Sequence, residues 1–133
     1  MKYYLDTNII IYSLKGVYPQ IKSHFLNIPC QSIVIPAVVM AEIEYGARKS
    51  YDYQRTIQQY KLFTDVFEKA SFSQAASFWY GDIRNRLEKE GTPVGANDLM
   101  IASIVLADNG ILVTHNTKEF ARIPELQVED WTI

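Results

Sequence analysis

The sequence predicts a parallel α/β sheet, and three observations carry that prediction. Short runs rich in aromatic and β-branched residues recur at Lys2–Leu5, Ser32–Ile35 and Ile111–Thr114. They are apolar nearly throughout, without the in-out alternation of a half-solvated sheet, so both faces of the sheet should be covered. Between them lie stretches of helical periodicity, and strands alternating with helices build parallel sheets.

The elements follow in order. The first strand breaks off abruptly at Asp6, and Thr7–Leu14 reads as a helix that Asp6, Thr7 or Asn8 can cap and Gly16 stops. Pro19 opens a short helix through Leu26, and Pro29 lies just beyond it. The strand Ser32–Ile35 closes on Pro36, placed for the first turn of a helix running to Lys49. Gly46 interrupts that helix at a cost of about 1 kcal/mol relative to alanine, which implies a second backbone packed close by.

Tyr51–Val66 has the spacing of a further helix, and Phe67–Phe72 alternates like a short strand. Ser73 is a good N-cap for a long helix ended by Gly91 and Pro93. Gly95-Ala96-Asn97-Asp98 leads into Leu99–Ala107, so uniformly apolar that it should be buried all round, with Asn109-Gly110 at its end. Leu126–Val128 closes the sheet as an edge strand.

Bulk properties narrow the class. Residues 1–133 suffice for a single domain with an unstapled core. Hydrophobic residues make up 48% and charged residues 21%, a globular balance. The net charge of −2 gives no global basic field, so a polyanion would need a local patch or a bridging cation. One cysteine, Cys30, cannot form an internal disulfide, and the start lacks a signal-peptide layout because Asp6 interrupts it. No apolar run reaches the ~20 residues of a membrane span. The expected setting is the cytoplasm, without membrane attachment.

Four acids are candidates for chemistry. Asp6 follows the first strand, where open parallel sheets build ligand crevices. Asp98 opens a buried helix, a position its dipole favours by roughly 0.3–1 kcal/mol. Glu42 lies between Ala41 and Ile43 while Glu44 serves the solvent side. Glu119 follows the strand Ile111–Thr114 and is spaced from Asn116 as a capping box. His115 beside them reads as incidental. Two carboxylates about 5 Å apart repel by roughly 3 kcal/mol at an effective dielectric near 20. Three or four would not all stay ionised without a divalent cation, and oxygen donors without His or Cys select Mg²⁺ or Mn²⁺ over Zn²⁺.

Four blocks carry a resemblance. Leu5-Asp6-Thr7-Asn8, Ala41–Ala47, Gly95–Ala102 and Val113–Phe120 are similar, in order and across nearly the whole chain, to the motif blocks of PIN-domain ribonucleases, and more narrowly to VapC toxins of bacterial toxin–antitoxin pairs. The resemblance implies a three-layer α/β/α fold with a central five-strand parallel sheet. It implies Mg²⁺- or Mn²⁺-dependent endonucleolytic cleavage of RNA, a homodimer, and inhibition by a VapB-type antitoxin.

Residue by residue, Asp6, Glu42 and Asp98 match the family's acidic triad, and Glu119 its fourth, more variable acid. Asp6, Asp98 and Glu119 would hold the cation directly or through waters, and Glu42 would complete the shell or position the attacking water. Asn116, Thr114 and Asn8 would orient those acids. Asn116 and Glu119 both stand where the family's last block often has an aspartate, and either fits contact with the metal. Arg84 and Arg86 are the cations expected on the RNA backbone. Several members cleave structured RNAs such as tRNA, and initiator tRNA is the expectation for near relatives.

Two other classes compete. A Mg²⁺-dependent phosphatase or phospho-acceptor domain also puts an aspartate after its first strand, but the haloacid-dehalogenase type wants a second aspartate where this chain has Asn8. A non-catalytic α/β binding module would use the same acids as helix caps.

Overall fold

Strand β1 (Tyr3–Leu5) lies at the centre of a five-stranded sheet in the computed structural model, which describes residues 1–133. From it the chain passes through α1 (Thr7–Lys15) and α2 (Pro19–Asn27) to β2 (Ile33–Pro36). It then runs through α3 (Ala37–Lys49) and α4 (Tyr53–Thr64) to β3 (Glu68–Ala70). The long crossover α5 (Gln74–Lys89) and α6 (Ala96–Ala107) brings it back to β4 (Ile111–Val113), and the short α7 (Thr117–Phe120) leads to β5 (Gln127–Glu129).

The strand order is β3-β2-β1-β4-β5 and every neighbouring pair is parallel. Tyr3 stands opposite both Ile33 and Ile111, and Leu5 opposite Val113. The chain builds outward from β1 on one side and then restarts on the other, so the order reverses between β1 and β4. A crevice opens at the carboxyl ends of strands at such a reversal.

Burial explains the all-apolar strands. Every residue of β2 is buried, as are Tyr4, Leu5, Leu112 and Val113, because helices cover both faces. Helix α6 packs on α5 and is buried at Leu99, Ile101, Ala102, Ile104 and Val105. Its one buried polar residue, Ser103, donates its hydroxyl to the Leu99 carbonyl at 2.7 Å, so no donor is stranded. No helix is long and apolar enough to cross a membrane.

Caps set the helix boundaries. Asp6, Asp52 and Ser73 each accept an amide hydrogen bond at the start of α1, α4 and α5. Gly16 ends α1 with φ of 65°, a left-handed conformation open to glycine. Asp52 as cap also shortens α4 against the expected Tyr51–Val66, leaving Tyr51 fully exposed. The first expected turn of α3 is likewise shorter, because Pro36 remains extended and pairs with Ala70.

Gly46 departs from expectation. It is exposed, and a Cβ there would meet nothing within 4 Å, so no second backbone packs against it. Gly110 is the close-packed glycine. A Cβ there would overlap the Tyr4 ring and lie 3.2 Å from the Lys2 carbonyl oxygen. That ring cannot swing aside, because it is buried and its hydroxyl donates to Asp108 at 2.8 Å. Gly46→Ala should therefore stabilise the fold by about 0.5–1 kcal/mol. Gly110→Ala should cost about 1–3 kcal/mol. Urea midpoints of the two variants, moving in opposite directions, check both assignments.

Candidate active site

The carboxyl ends of β1 and β4 meet at Asp6 and Thr114. Asp6 is 5% exposed, yet both of its oxygens are satisfied. Oδ1 accepts the Thr7 backbone N–H at 2.8 Å, and Oδ2 accepts the Thr114 hydroxyl at 2.7 Å. Thr114 is itself buried and takes the Asn116 N–H on its hydroxyl oxygen at 3.0 Å. The residue after β1 is thus anchored to the residue after β4, across the point where the sheet order reverses.

Glu42 reaches the same place from α3. Its Oε1 accepts the Thr7 hydroxyl at 2.7 Å, so one short threonine stands between the Asp6 and Glu42 carboxylates. Thr7 and Glu42 also line a cavity of about 560 Å³ with Asn97 and Met100 of α6. A second cavity, of about 600 Å³, is apolar, walled by Tyr18, Ile21, Phe25, Phe63 and Phe67, and contains none of the four acids.

Asp98, in the first turn of α6, completes the group with Glu119 of α7. Burial comes first among the causes that push Asp98 up to about 7, followed by the charges of Asp6 and Glu119, a hydrogen bond shared with Glu119, and the charge of Glu42. Burial likewise raises Asp6, with Glu42 and Glu119 adding to it, although the Thr114 hydroxyl and Thr7 amide pull the other way. Glu119 moves down. The Gly95 N–H on its Oε1 at 2.9 Å is the main cause, helped by the Asn116 amide on Oε2 at 2.9 Å and by Arg122. Asp98 and Glu119 therefore titrate as a coupled pair, Asp98 moved up and Glu119 down.

The four acids singled out in the sequence lie near one another, since Asp98 feels the charges of Asp6, Glu119 and Glu42 and Thr7 links Asp6 to Glu42. Of the three polar residues expected to orient them, Thr114 and Asn116 do so directly. Asn8 acts one step away, its Oδ1 accepting the His115 N–H at 3.4 Å. That engagement leaves position 8 with an amide braced against the backbone where a phosphatase of the kind considered above requires a second acid.

Two expectations are corrected. Asn116 and Glu119 do not form a capping box, since Asn116 makes no side-chain cap bond and turns its Nδ2 onto Glu119 instead. Arg84 and Arg86 are not free for a polyanion. Arg84 donates to Glu88 and Tyr80 along its own helix, and Arg86 forms a two-pronged pair with Glu125 at 2.6 and 2.8 Å. Sequence reasoning missed Thr7, the Gly95 amide and Arg122, which donates to the Pro93 carbonyl at 2.6 Å and sits in the field of Glu119. The threonine between two acid motifs was the one available signal.

The donor set fits a hard divalent cation. The acidic side chains at the crevice offer only oxygens, and burial, then the charges of Asp6 and Glu119, raise Asp98 to about 7. No three His, Cys, Asp or Glu side chains close into a ready-made cage. Carboxylate oxygens without histidine or cysteine suit a hard divalent cation better than zinc.

The family model described as the PIN domain matches residues 3–126. Ribonuclease VapC2 of Rickettsia felis is 39% identical over 135 residues, spanning 98% of either chain. The tRNA(fMet)-specific endonuclease VapC of Salmonella typhimurium is 34% identical over 131 residues, again 98% of either chain. Among solved structures, VapBC-1 from nontypeable Haemophilus influenzae superposes with a TM-score of 0.92 at 39% identity, covering 100% of both chains.

The Asp98 shift has a consequence for stability. A carboxyl whose folded value lies above its unfolded one binds more protons in the native state, so stability is full below about pH 4 and is lost as pH climbs through about 7. Without divalent cations, the melting temperature of the native chain should fall relative to Asp98→Asn between pH 4 and pH 8. Millimolar Mg²⁺ should raise it more at pH 8 than at pH 5, with little effect on Asp98→Asn. Thermal melts across that range check the sign.

Proposed function

This chain belongs to the PIN-domain family and, within it, to the VapC ribonucleases, and from that premise we propose that it is a metal-dependent endoribonuclease toxin restrained by a VapB-type antitoxin. The convergence of Asp6, Glu42, Asp98 and Glu119 at the strand-order reversal carries the reading. The solved VapBC relatives support the antitoxin as partner. We take residues 1–133 as one PIN domain that works as a cytoplasmic homodimer.

Asp6, Asp98 and Glu119 would hold the cation, directly or through water, and Mg²⁺ or Mn²⁺ suits their oxygens best. When bound, the cation orients the scissile phosphodiester and lowers the pKa of a bound water. The protein's own part is to keep its carboxylates fixed. Thr114 and the Thr7 amide hold Asp6, Gly95 and Asn116 hold Glu119, and Thr7 aims Glu42 at the space where water would attack. Asp98 would release its proton to solvent on binding a cation, since the charged form would then be the favoured one. With Arg84 and Arg86 engaged elsewhere, Arg122 and Lys118 near Glu119 are the cations placed to meet the RNA backbone. The tRNA(fMet)-specific relative supports initiator tRNA as substrate.

Asp6→Asn can still cap α1, because asparagine caps as well as aspartate. The variant should fold, bind the antitoxin, and lose growth arrest together with Mg²⁺-dependent cleavage, by more than ~100-fold given that even supporting residues of a metal site are worth about 10–100-fold. Thr114→Val should fall within that 10–100-fold range, with activity partly restored at higher metal concentration. Mapping RNA ends in cells soon after induction tests the substrate. Undiminished cleavage by Asp6→Asn would refute the site.

A further inference from the structure

We propose that His115, buttressed by Tyr12 and Tyr18 at angles of 76° and 45°, is the platform ring on which an unpaired base of the RNA stacks beside the scissile phosphate. This rests on the ribonuclease reading above and adds the part of the site that selects single-stranded nucleotides.

Position comes first. His115 lies between Thr114, which holds Asp6, and Asn116, which holds Glu119, and its own N–H reaches Asn8. Tyr12 follows Asn8 by one turn on the same face of α1. The three rings pack together. Tyr18 lies 5.0 Å from Tyr12 and 5.6 Å from His115, and Tyr12 lies 6.0 Å from His115. The cluster thus begins at the residues that brace the carboxylates and continues outward from them.

The histidine is exposed and yet rigidly held. Its side chain is 43% exposed, while Nδ1 lies 3.1 Å from Asp130 Oδ2 and 3.0 Å from Thr132 Oγ1. The Thr132 hydroxyl already donates to Asp130 Oδ1 at 2.7 Å. Nδ1 must therefore carry the hydrogen and donate, which fixes both the tautomer and the ring plane. Trp131, fully buried between Asp130 and Thr132, pins this support to the core. A ring oriented in advance loses little freedom when a ligand meets its face.

Charge makes a neutral contact necessary. The crevice is acidic, the chain carries −2 overall, and Arg84 and Arg86 are paired within the protein. A polyanion gains little here from ion pairing alone. Stacking on a histidine ring is indifferent to the phosphate charge and serves single-stranded or splayed-out bases, which base-paired regions do not offer.

The test uses fluorescence anisotropy of a labelled single-stranded RNA with the full-length Asp6→Asn protein in Mg²⁺, so that binding is read without cleavage. Adding His115→Ala or His115→Asn should weaken binding about tenfold. His115→Phe, which keeps a ring and lacks the Asp130 bond, should restore most of it. In the cleaving enzyme, His115→Ala should raise KM with a much smaller change in kcat. An abasic nucleotide at one position of the RNA should abolish the difference in affinity between proteins with and without His115→Ala. Equal binding by all variants overturns the platform, as does His115→Phe behaving like His115→Ala, or a loss confined to kcat. Should His115→Ala fail to fold by thermal melting, Tyr12→Leu and Tyr18→Leu read the same affinity. A native protein that neither binds nor cleaves RNA in Mg²⁺ refutes the nuclease reading itself, whereas binding indifferent to His115 refutes the platform alone.

Discussion

Like charge held at close range is the constraint on which the rest of this structure depends. Four carboxylates lie within reach of one another's charge, and of the lysines and arginines only Arg122 is near enough to ease one of them, Glu119. The protein steadies them with neutral donors instead: two threonine hydroxyls, two backbone amides and one asparagine. A hydrogen bond from a neutral group fixes an oxygen without cancelling its charge, so the crevice retains its demand for a cation. The raised Asp98, pushed up first by burial and then by the neighbouring charges, reflects part of that unmet demand.

The sheet order makes the arrangement attainable. Because β1 pairs with β2 on one side and β4 on the other, the residues that follow β1 and β4 are forced side by side. Asp6 and Thr114 are 108 residues apart in sequence and in hydrogen-bond contact in space. The start of α6 faces the same gap, with its first-turn acid where the helix dipole tolerates it. Packing does the rest: α6 is apolar on nearly every side and clamped by α5, so Asp98 cannot relax away from its neighbours.

How much of this could be read in advance varies with the physics of each group. Strand and helix identities were legible because apolar runs and cap residues are local signals, as at Asp6, Gly16 and Ser73. The acids were legible because a carboxylate beside buried residues is costly unless it has a task. Thr7 was not, since a threonine at a helix start looks like an ordinary cap, and its hydroxyl turns out to serve Glu42. Gly95 contributes a backbone amide, which has no residue signature at all. Arg86 misled because its partner Glu125 is 39 residues away, beyond the reach of any local pattern. Asn116 and Glu119 had the spacing of a capping box, but the carboxylate found stronger donors in Gly95 and the Asn116 amide.

An acidic crevice for an acidic polymer looks self-defeating until the order of events is considered. Without a cation the site repels phosphate, and the partly protonated Asp98 lessens that repulsion only by giving up a ligand. With a cation bound, the same carboxylates would let phosphate approach, because the ion would offset their charge. A cation bound there would draw the proton from Asp98, so affinity for the cation should rise with pH. Basic groups near such a site, Arg122 among them, must be few, because each competes with the metal for the carboxylates. Contacts insensitive to charge, such as stacked rings anchored by a distant aspartate, are the form of recognition that leaves the crevice free to hold its ion.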